Sequence, residues 1–145
     1  MISGQYNIQA DQGSTLKLFV EYQTFGSTAI DLNSYLAEMQ VRRSVNDDNI
    51  LLFLSGNTLT SAVTGGGSTG YFTGTGGISG TGGLKLNTGP TGVAGHTGGI
   101  YINVDPTTMS YVPSGRHLYD LELINGSEIT RILQGRFEVT REVTR

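Results

Sequence analysis

The sequence predicts an all-β chain, a two-sheet antiparallel sandwich carrying one long glycine-rich insertion. Apolar residues recur at every second position through both terminal thirds, and turn-forming residues punctuate those runs at short intervals. No 3.6-residue apolar period lasts long enough to build a durable helix. Of the 22 glycines, 15 fall within residues 65–99, and removing that stretch leaves about 110 residues, the size at which two sheets enclose one core. The 145 residues therefore read as one domain with core segments 5–63 and 100–145 and a Gly/Thr-rich arm over 64–99.

The elements follow in chain order. In 15–23, Leu16, Leu18, Val20 and Tyr22 alternate with Lys17, Glu21 and Gln23, so one face enters a core. Phe19 interrupts the polar face and marks a contact surface. A short apolar run at 28–32 leads to a turn at Asn33-Ser34. Then Tyr35, Ala37, Met39 and Val41 alternate with Leu36, Glu38, Gln40 and Arg42. Asn46-Asp47-Asp48-Asn49 is a loop, and 50–54 is a buried or edge strand. After the insertion, 100–104 alternates again. Asp105-Pro106 has the chemistry of a helix cap and first position, for one turn through Met109. Pro113-Ser114-Gly115 turns the chain into 117–124, where Tyr119, Leu121 and Leu123 share one face. Asn125-Gly126 predicts a hairpin with a type I′ turn, 128–133 the return strand, and Phe137, Val139 and Val143 a last strand after Gly135. Tyr119 heads a central strand just after a turn, where its hydroxyl can return to the backbone of that corner or simply be buried.

Within the insertion, Gly74-Thr75-Gly76-Gly77-Ile78-Ser79 and Gly80-Thr81-Gly82-Gly83-Leu84-Lys85 repeat with a period of six. Beneath lies a period of three, with glycine at 74, 77, 80, 83, 89, 92, 95 and 98. A collagen-like trimer needs that spacing but also abundant proline, and Pro90 stands alone in the stretch. A plain linker has no use for the apolar anchors Tyr71, Phe72, Ile78, Leu84 and Leu86. The expectation is an extended arm or finger, with a short strand at 83–87, ordered by packing on neighbouring subunits.

Composition excludes several functions. The net charge of −3 comes from interspersed acids and bases, and Arg42-Arg43 is too small a basic patch for nucleic acid. The chain has no cysteine, so neither disulfides nor thiolate metal sites hold the fold. No signal-peptide pattern and no apolar run of membrane-spanning length occur, so the expectation is a soluble protein without membrane partners. Gly65-Gly66-Gly67-Ser68-Thr69-Gly70 matches G-x-G-x-x-G, but Tyr71-Phe72-Thr73 then favours strand and turn where a dinucleotide site needs a helix. His96 and His117 stand in settings that look open to water, which argues against a catalytic triad. Asp47-Asp48 lacks the spaced acids of a calcium loop, and Asp120 with Glu122 reads as the wet side of a strand. The glycosylation pattern Asn125-Gly126-Ser127 is better explained by the hairpin. No catalytic, metal or cofactor-binding residue and no small-molecule substrate is expected.

Ile30-Asp31-Leu32, Tyr35, Met39-Gln40-Val41-Arg42 and Gly99-Ile100-Tyr101-Ile102 come first in a recognisable order. Val112-Pro113-Ser114-Gly115, Tyr119-Asp120-Leu121-Glu122, the run Ile129-Thr130-Arg131-Ile132-Leu133-Gln134-Gly135-Arg136-Phe137-Glu138-Val139 and Glu142-Val143-Thr144 complete it. Together they resemble the small immunoglobulin-like domain of tailed-bacteriophage virion proteins, similar to the N-terminal domain of upper baseplate proteins. The likeness covers most of the chain outside 64–99. It implies an immunoglobulin-like sandwich in a virion, as a tail or baseplate component whose partners are other virion proteins and copies of itself. The family supplies no catalytic residues. The insertion is much longer than the family's short hairpin, which leaves capsid decoration (cement) and neck roles open, together with a host-surface module for glycan or protein using Tyr71, Phe72 and Tyr101. Candidate assembly contacts are Phe19, Tyr71, Phe72, Ile78, Leu84, Leu86 and Tyr101.

Overall fold

The structure, a computed structural model, describes residues 4–24, 26–47, 50–59, 61–66 and 83–141, giving the backbone for 61–66. In chain order the strands are β1 (Gly4–Gln5), β2 (Ile8–Asp11), β3 (Leu16–Glu21), β4 (Leu36–Arg42), β5 (Leu52–Gly56) and β6 (Ser61–Gly66). Then come β7 (Gly83–Leu86), β8 (Gly99–Val104), the helix α1 (Pro106–Tyr111), β9 (Gly115–Asn125) and β10 (Glu128–Thr140). The all-β expectation holds. A seven-stranded sheet runs β1-β10-β9-β4-β5-β6, with β2 also on β10, and a three-stranded sheet runs β3-β8-β7.

Alternation makes each sheet two-faced, and the apolar faces meet. β9 buries His117, Tyr119, Leu121 and Leu123, β4 buries Ala37, Met39 and Val41, and β8 buries Ile100, Ile102 and Val104. All of these except His117 join Leu32, Leu52, Leu54, Met109 and Phe137 in a single hydrophobic cluster. Each such side chain contributes roughly 1.5–3 kcal/mol of transfer free energy, so the shared core holds the sheets together. Leu86 N–H also donates to Asn57 O at 3.0 Å, a backbone link between the layers.

Three expectations change. The arm boundary moves, because β7 pairs with β8 and Leu84 and Leu86 are 0% and 1% exposed. These two side chains are core residues rather than contacts for other subunits, and 83–99 belongs to the domain. Second, 128–140 is one strand with a bulge between Arg131 and Leu133, and Gly135 does not break it. A Cβ at Gly135 would overlap the Tyr6 carbonyl, so this glycine is where the N-terminal strand crosses closely. Third, Asn125 pairs with Glu128, which makes Gly126-Ser127 the turn, and only Gly126 has positive φ (63°). Positive φ at the first central residue alone marks type II′ rather than I′. The apolar run 28–32 contributes a single bridge, from Ala29 to Gln23.

The N-terminal strands, unforeseen from the sequence, run parallel to β10 in one register, with Gln5 opposite Gln134 and Ile8 opposite Phe137. Across the gap between them, Tyr6 N–H donates to Gln134 O (2.9 Å) and Arg136 N–H donates to Asn7 Oδ1 (3.0 Å). The Tyr119 hydroxyl donates to Tyr6 O at 2.6 Å, so it ties down the N-terminal strand and not the preceding corner. Burial pushes that hydroxyl's pKa far above its ordinary value, with Tyr6 adding to the shift. The helix forms as its cap predicts: Thr108 N–H donates to Asp105 Oδ1 (2.8 Å), Pro106 opens the first turn, and the helix continues to Tyr111.

Candidate assembly surface

Two surfaces carry the side chains that the core leaves out. On the smaller sheet the outward positions of β3, β8 and β7 fall into register, placing Phe19 opposite Tyr101 and Tyr101 opposite Lys85. Phe19 and Tyr101, two of the residues singled out from the sequence, are thus brought side by side, both half-buried. Their cover is the loop 87–98. His96 stands edge-on to Phe19, ring centroids 5.3 Å apart, and its Nε2 lies 2.6 Å from Glu21 Oε1. Gly92 lies against the Tyr101 ring, where an added Cβ would come within 3.3 Å.

Asn87 holds that loop in place. Its backbone has positive φ (51°), and its Oδ1 accepts from Leu32 N–H and Gly98 N–H, both at 3.1 Å. Its Nδ2 donates to Asp31 Oδ1 at 2.8 Å, while its carbonyl accepts from Gly95 N–H (2.9 Å) and His96 N–H (3.1 Å). Sequence reasoning missed this residue. The available signal was an asparagine, the non-glycine residue most at ease at positive φ, directly after a strand and ahead of a glycine-rich loop.

On the larger sheet the outward residues of β4, β9 and β10 form rows across the strands. At the hairpin end lies Leu36–Ile124–Ile129, next Glu38–Glu122–Arg131, then Gln40–Asp120–Gln134, then Arg42–Leu118–Arg136. The last two rows, with Glu122 and Arg131 of the second, line an open depression of about 640 Å³ together with Gln5 and Asn7. Arg131 Nε is 3.3 Å from Asp120 Oδ2, and Arg42 donates to Gln40 Oε1 (2.9 and 3.2 Å) and to Asp47 O (3.0 Å). The Glu122 pKa is raised, first by partial burial, then by Asp120 and, more weakly, by Glu38, with Arg131 opposing. Asp120 and Glu122 are indeed on the open side of β9. The apolar end row was not foreseen. Leu36 is 38% exposed and Ile129 62%, with Leu59 (80%) close by.

The remaining candidates separate. Tyr71, Phe72 and Ile78 lie outside the described residues. His117, expected to be open to water, is 2% exposed because it faces Phe137's strand from inside β9. Its Nε2 is 2.7 Å from Pro113 O, and Nδ1 has no hydrogen-bond partner among the described residues. That geometry pins the start of β9 to the preceding turn. Among the described residues, no group of three or more His, Cys, Asp or Glu converges as metal ligands would, and no helix is long and apolar enough to cross a membrane. No protein-family model and no curated protein matches the chain.

Proposed function

We propose that the chain is an immunoglobulin-like structural subunit of a bacteriophage virion, working in the tail or baseplate through contacts with other virion proteins and with its own copies. The strand order supports the fold half of this reading. Variable-type immunoglobulin sandwiches add two strands to the G-F-C sheet opposite a B-E-D sheet. Here β10-β9-β4-β5-β6 would take the positions G-F-C-C′-C″ and β3-β8-β7 the positions B-E-D, with the N-terminal strand on the G side.

The observation that carries the assembly role is the place of the Gly/Thr tract. Residues 67–82 are inserted between β6 and β7, each the edge strand of its own sheet, and the two lie against each other. The described strands on either side of the tract, β6 and β7, are thus both sheet margins rather than central strands. Edge strands are also where main-chain donors and acceptors remain open to a neighbouring chain. A repeated subunit multiplies any such contact around a ring or lattice.

The test has two arms. Antibody against the chain labels purified tailed particles at symmetric positions on the tail; label confined to the shell moves the subunit to a decoration role, and no label on particles overturns the virion reading. In the second arm, replacing 67–82 by a short Gly-Ser link leaves a folded β domain by circular dichroism that no longer enters particles. Normal incorporation would make the insert dispensable. A second reading, a host-surface binding module, draws on the half-buried Phe19–Tyr101 pair beside Lys85, and measurable glycan affinity of the isolated chain would favour it.

A further inference from the structure

We propose that β3, the open margin of the smaller sheet, pairs antiparallel with β3 of a second copy of this chain. The two-fold axis passes between the two Phe19 residues and joins two three-stranded sheets into one of six. This deepens the assembly reading above and rests on it for its setting in a particle, while the geometry stands on β3 alone.

The hydrogen-bond pattern leaves this edge unfilled. β3 follows β8 in unbroken register from Leu16 opposite Val104 to Glu21 opposite Gly99, and Tyr22 N–H donates to Gly98 O at 2.8 Å in the next pair. An antiparallel ladder turns the main-chain groups of every second residue to the same side. Those of Leu16, Leu18 and Val20 therefore bond to β8, while the N–H and C=O of Lys17, Phe19 and Glu21 point away from the sheet. Among the described residues no strand and no backbone hydrogen bond takes up these six groups. The core is thin along the same margin. Leu18 and Val20 face inward but are only half-buried, whereas Ile102 and Ile100 directly across from them are 0% exposed.

The strand's own sequence identifies the occupant, because positions equidistant from Phe19 complement each other. Lys17 and Glu21 do so in charge, Leu18 and Val20 as inward apolar residues. About this axis Phe19 exchanges both main-chain bonds with its counterpart, and Lys17 exchanges both with Glu21 of the other copy, twice over. All six open groups of each strand are then satisfied, with the reciprocity an isologous contact requires. No like-charged residues meet anywhere between 15 and 23, and a shift of two residues either way separates Lys17 from Glu21. The Glu21 carboxylate already meets His96 Nε2 through Oε1 and Gln23 Nε2 through Oε2, both at 2.6 Å. Each carboxylate oxygen has a further lone pair, so Lys17 adds to these contacts and replaces neither. Charge thus sets the register, while the main-chain bonds and the Leu18–Val20 contacts supply the attachment. A seam this short buries less than a standard interface, so the isolated chain associates with a dissociation constant of roughly 10–100 µM.

The chain has no cysteine, so covalent trapping reads the register directly. Facing residues of a hydrogen-bonded antiparallel pair have Cα atoms about 5.5 Å apart, within disulfide reach. Under mild oxidation Phe19→Cys forms a linked dimer. Lys17→Cys, whose counterpart lies about 13 Å away along the strand, stays monomeric alone and links when mixed with Glu21→Cys. No linked Phe19→Cys dimer, or equal linking of Phe19→Cys and Lys17→Cys, overturns the proposal. Amide exchange of the unmodified chain guards against a variant that folds poorly. Between about 10 µM and about 1 mM the Lys17, Phe19 and Glu21 amides slow at least about threefold, while those of Leu18 and Val20, bonded within the chain, do not change. Fast exchange of the first three at every concentration overturns the proposal and leaves the edge to a strand of another protein. Slow exchange already in dilute solution overturns it too, because the chain then fills this edge itself. Failure here leaves particle labelling untouched, and failed labelling leaves the trapped dimer untouched, so the two readings fall separately.

Discussion

On the smaller sheet the outward row Phe19–Tyr101–Lys85 lies under residues 87–98, with His96 against one ring and Gly92 against the other. On the larger sheet the outward row Leu36–Ile124–Ile129 has no comparable cover among the described residues. Both rows follow from alternation on three paired strands, yet the chain closes one with its own loop and leaves the other open. The difference lies in what holds the cover. Asn87 satisfies five loop and strand groups from one position, and among the described residues nothing equivalent stands beside the Asn125–Glu128 turn. That one polar anchor organises the roof over Phe19 and Tyr101, which leaves both rings half-buried.

Removing the tight packing on the larger sheet should have the greatest effect. Gly135→Val drives a side chain into the Tyr6 carbonyl and releases the N-terminal strand from β10, costing about 3 kcal/mol or more in denaturant unfolding. An unchanged midpoint would show that the N-terminal strand contributes little. Next comes the anchor itself. Asn87→Ala removes three side-chain hydrogen bonds and strains a positive φ, an expected loss of about 2–4 kcal/mol. Faster hydrogen exchange at Gly95 and His96 should accompany it, with the larger sheet's amides unaffected.

The smallest effect concerns Glu122. Partial burial, Asp120 and Glu38 raise its folded pKa against the pull of Arg131, so the folded chain holds this proton more tightly than the unfolded chain. The sign follows: this contribution to stability is present at low pH and is lost as pH rises from the ordinary carboxylate range through the raised value. Glu122→Gln removes that decline. Urea midpoints measured from about pH 4 to about pH 7 should fall less steeply for the variant, and parallel curves would assign the slope to other carboxylates.

Much of the fold was legible because alternation is a local signal. The run Tyr119-Asp120-Leu121-Glu122-Leu123 states its two faces residue by residue, and Asp105-Pro106 states a helix start. What stayed hidden depends on partners distant in sequence. Gly135 looks like a strand break until Tyr6 lies beside it, and the N-terminal strand offers only Ile8 and Ala10 as buried residues. Leu84 and Leu86 were visible as apolar anchors, but glycine-rich surroundings suggested an arm where pairing with β8 makes them core. Phe19 showed as a surface candidate because it interrupts polar alternation within one strand. The Leu36–Ile124–Ile129 row could not show this way, since its members come from three strands whose register is set only on folding.

The parallel seating of the N-terminal strand on β10 also decides how the domain carries mechanical load. Tension drawn through the chain before Gly4 and after Thr140 pulls the two strands along their length in opposite directions. Their ladder, from Gly4 opposite Leu133 to Asp11 opposite Thr140, is then loaded in shear. Bonds along the seam share the force together, whereas a hairpin pulled from its open end yields one rung at a time.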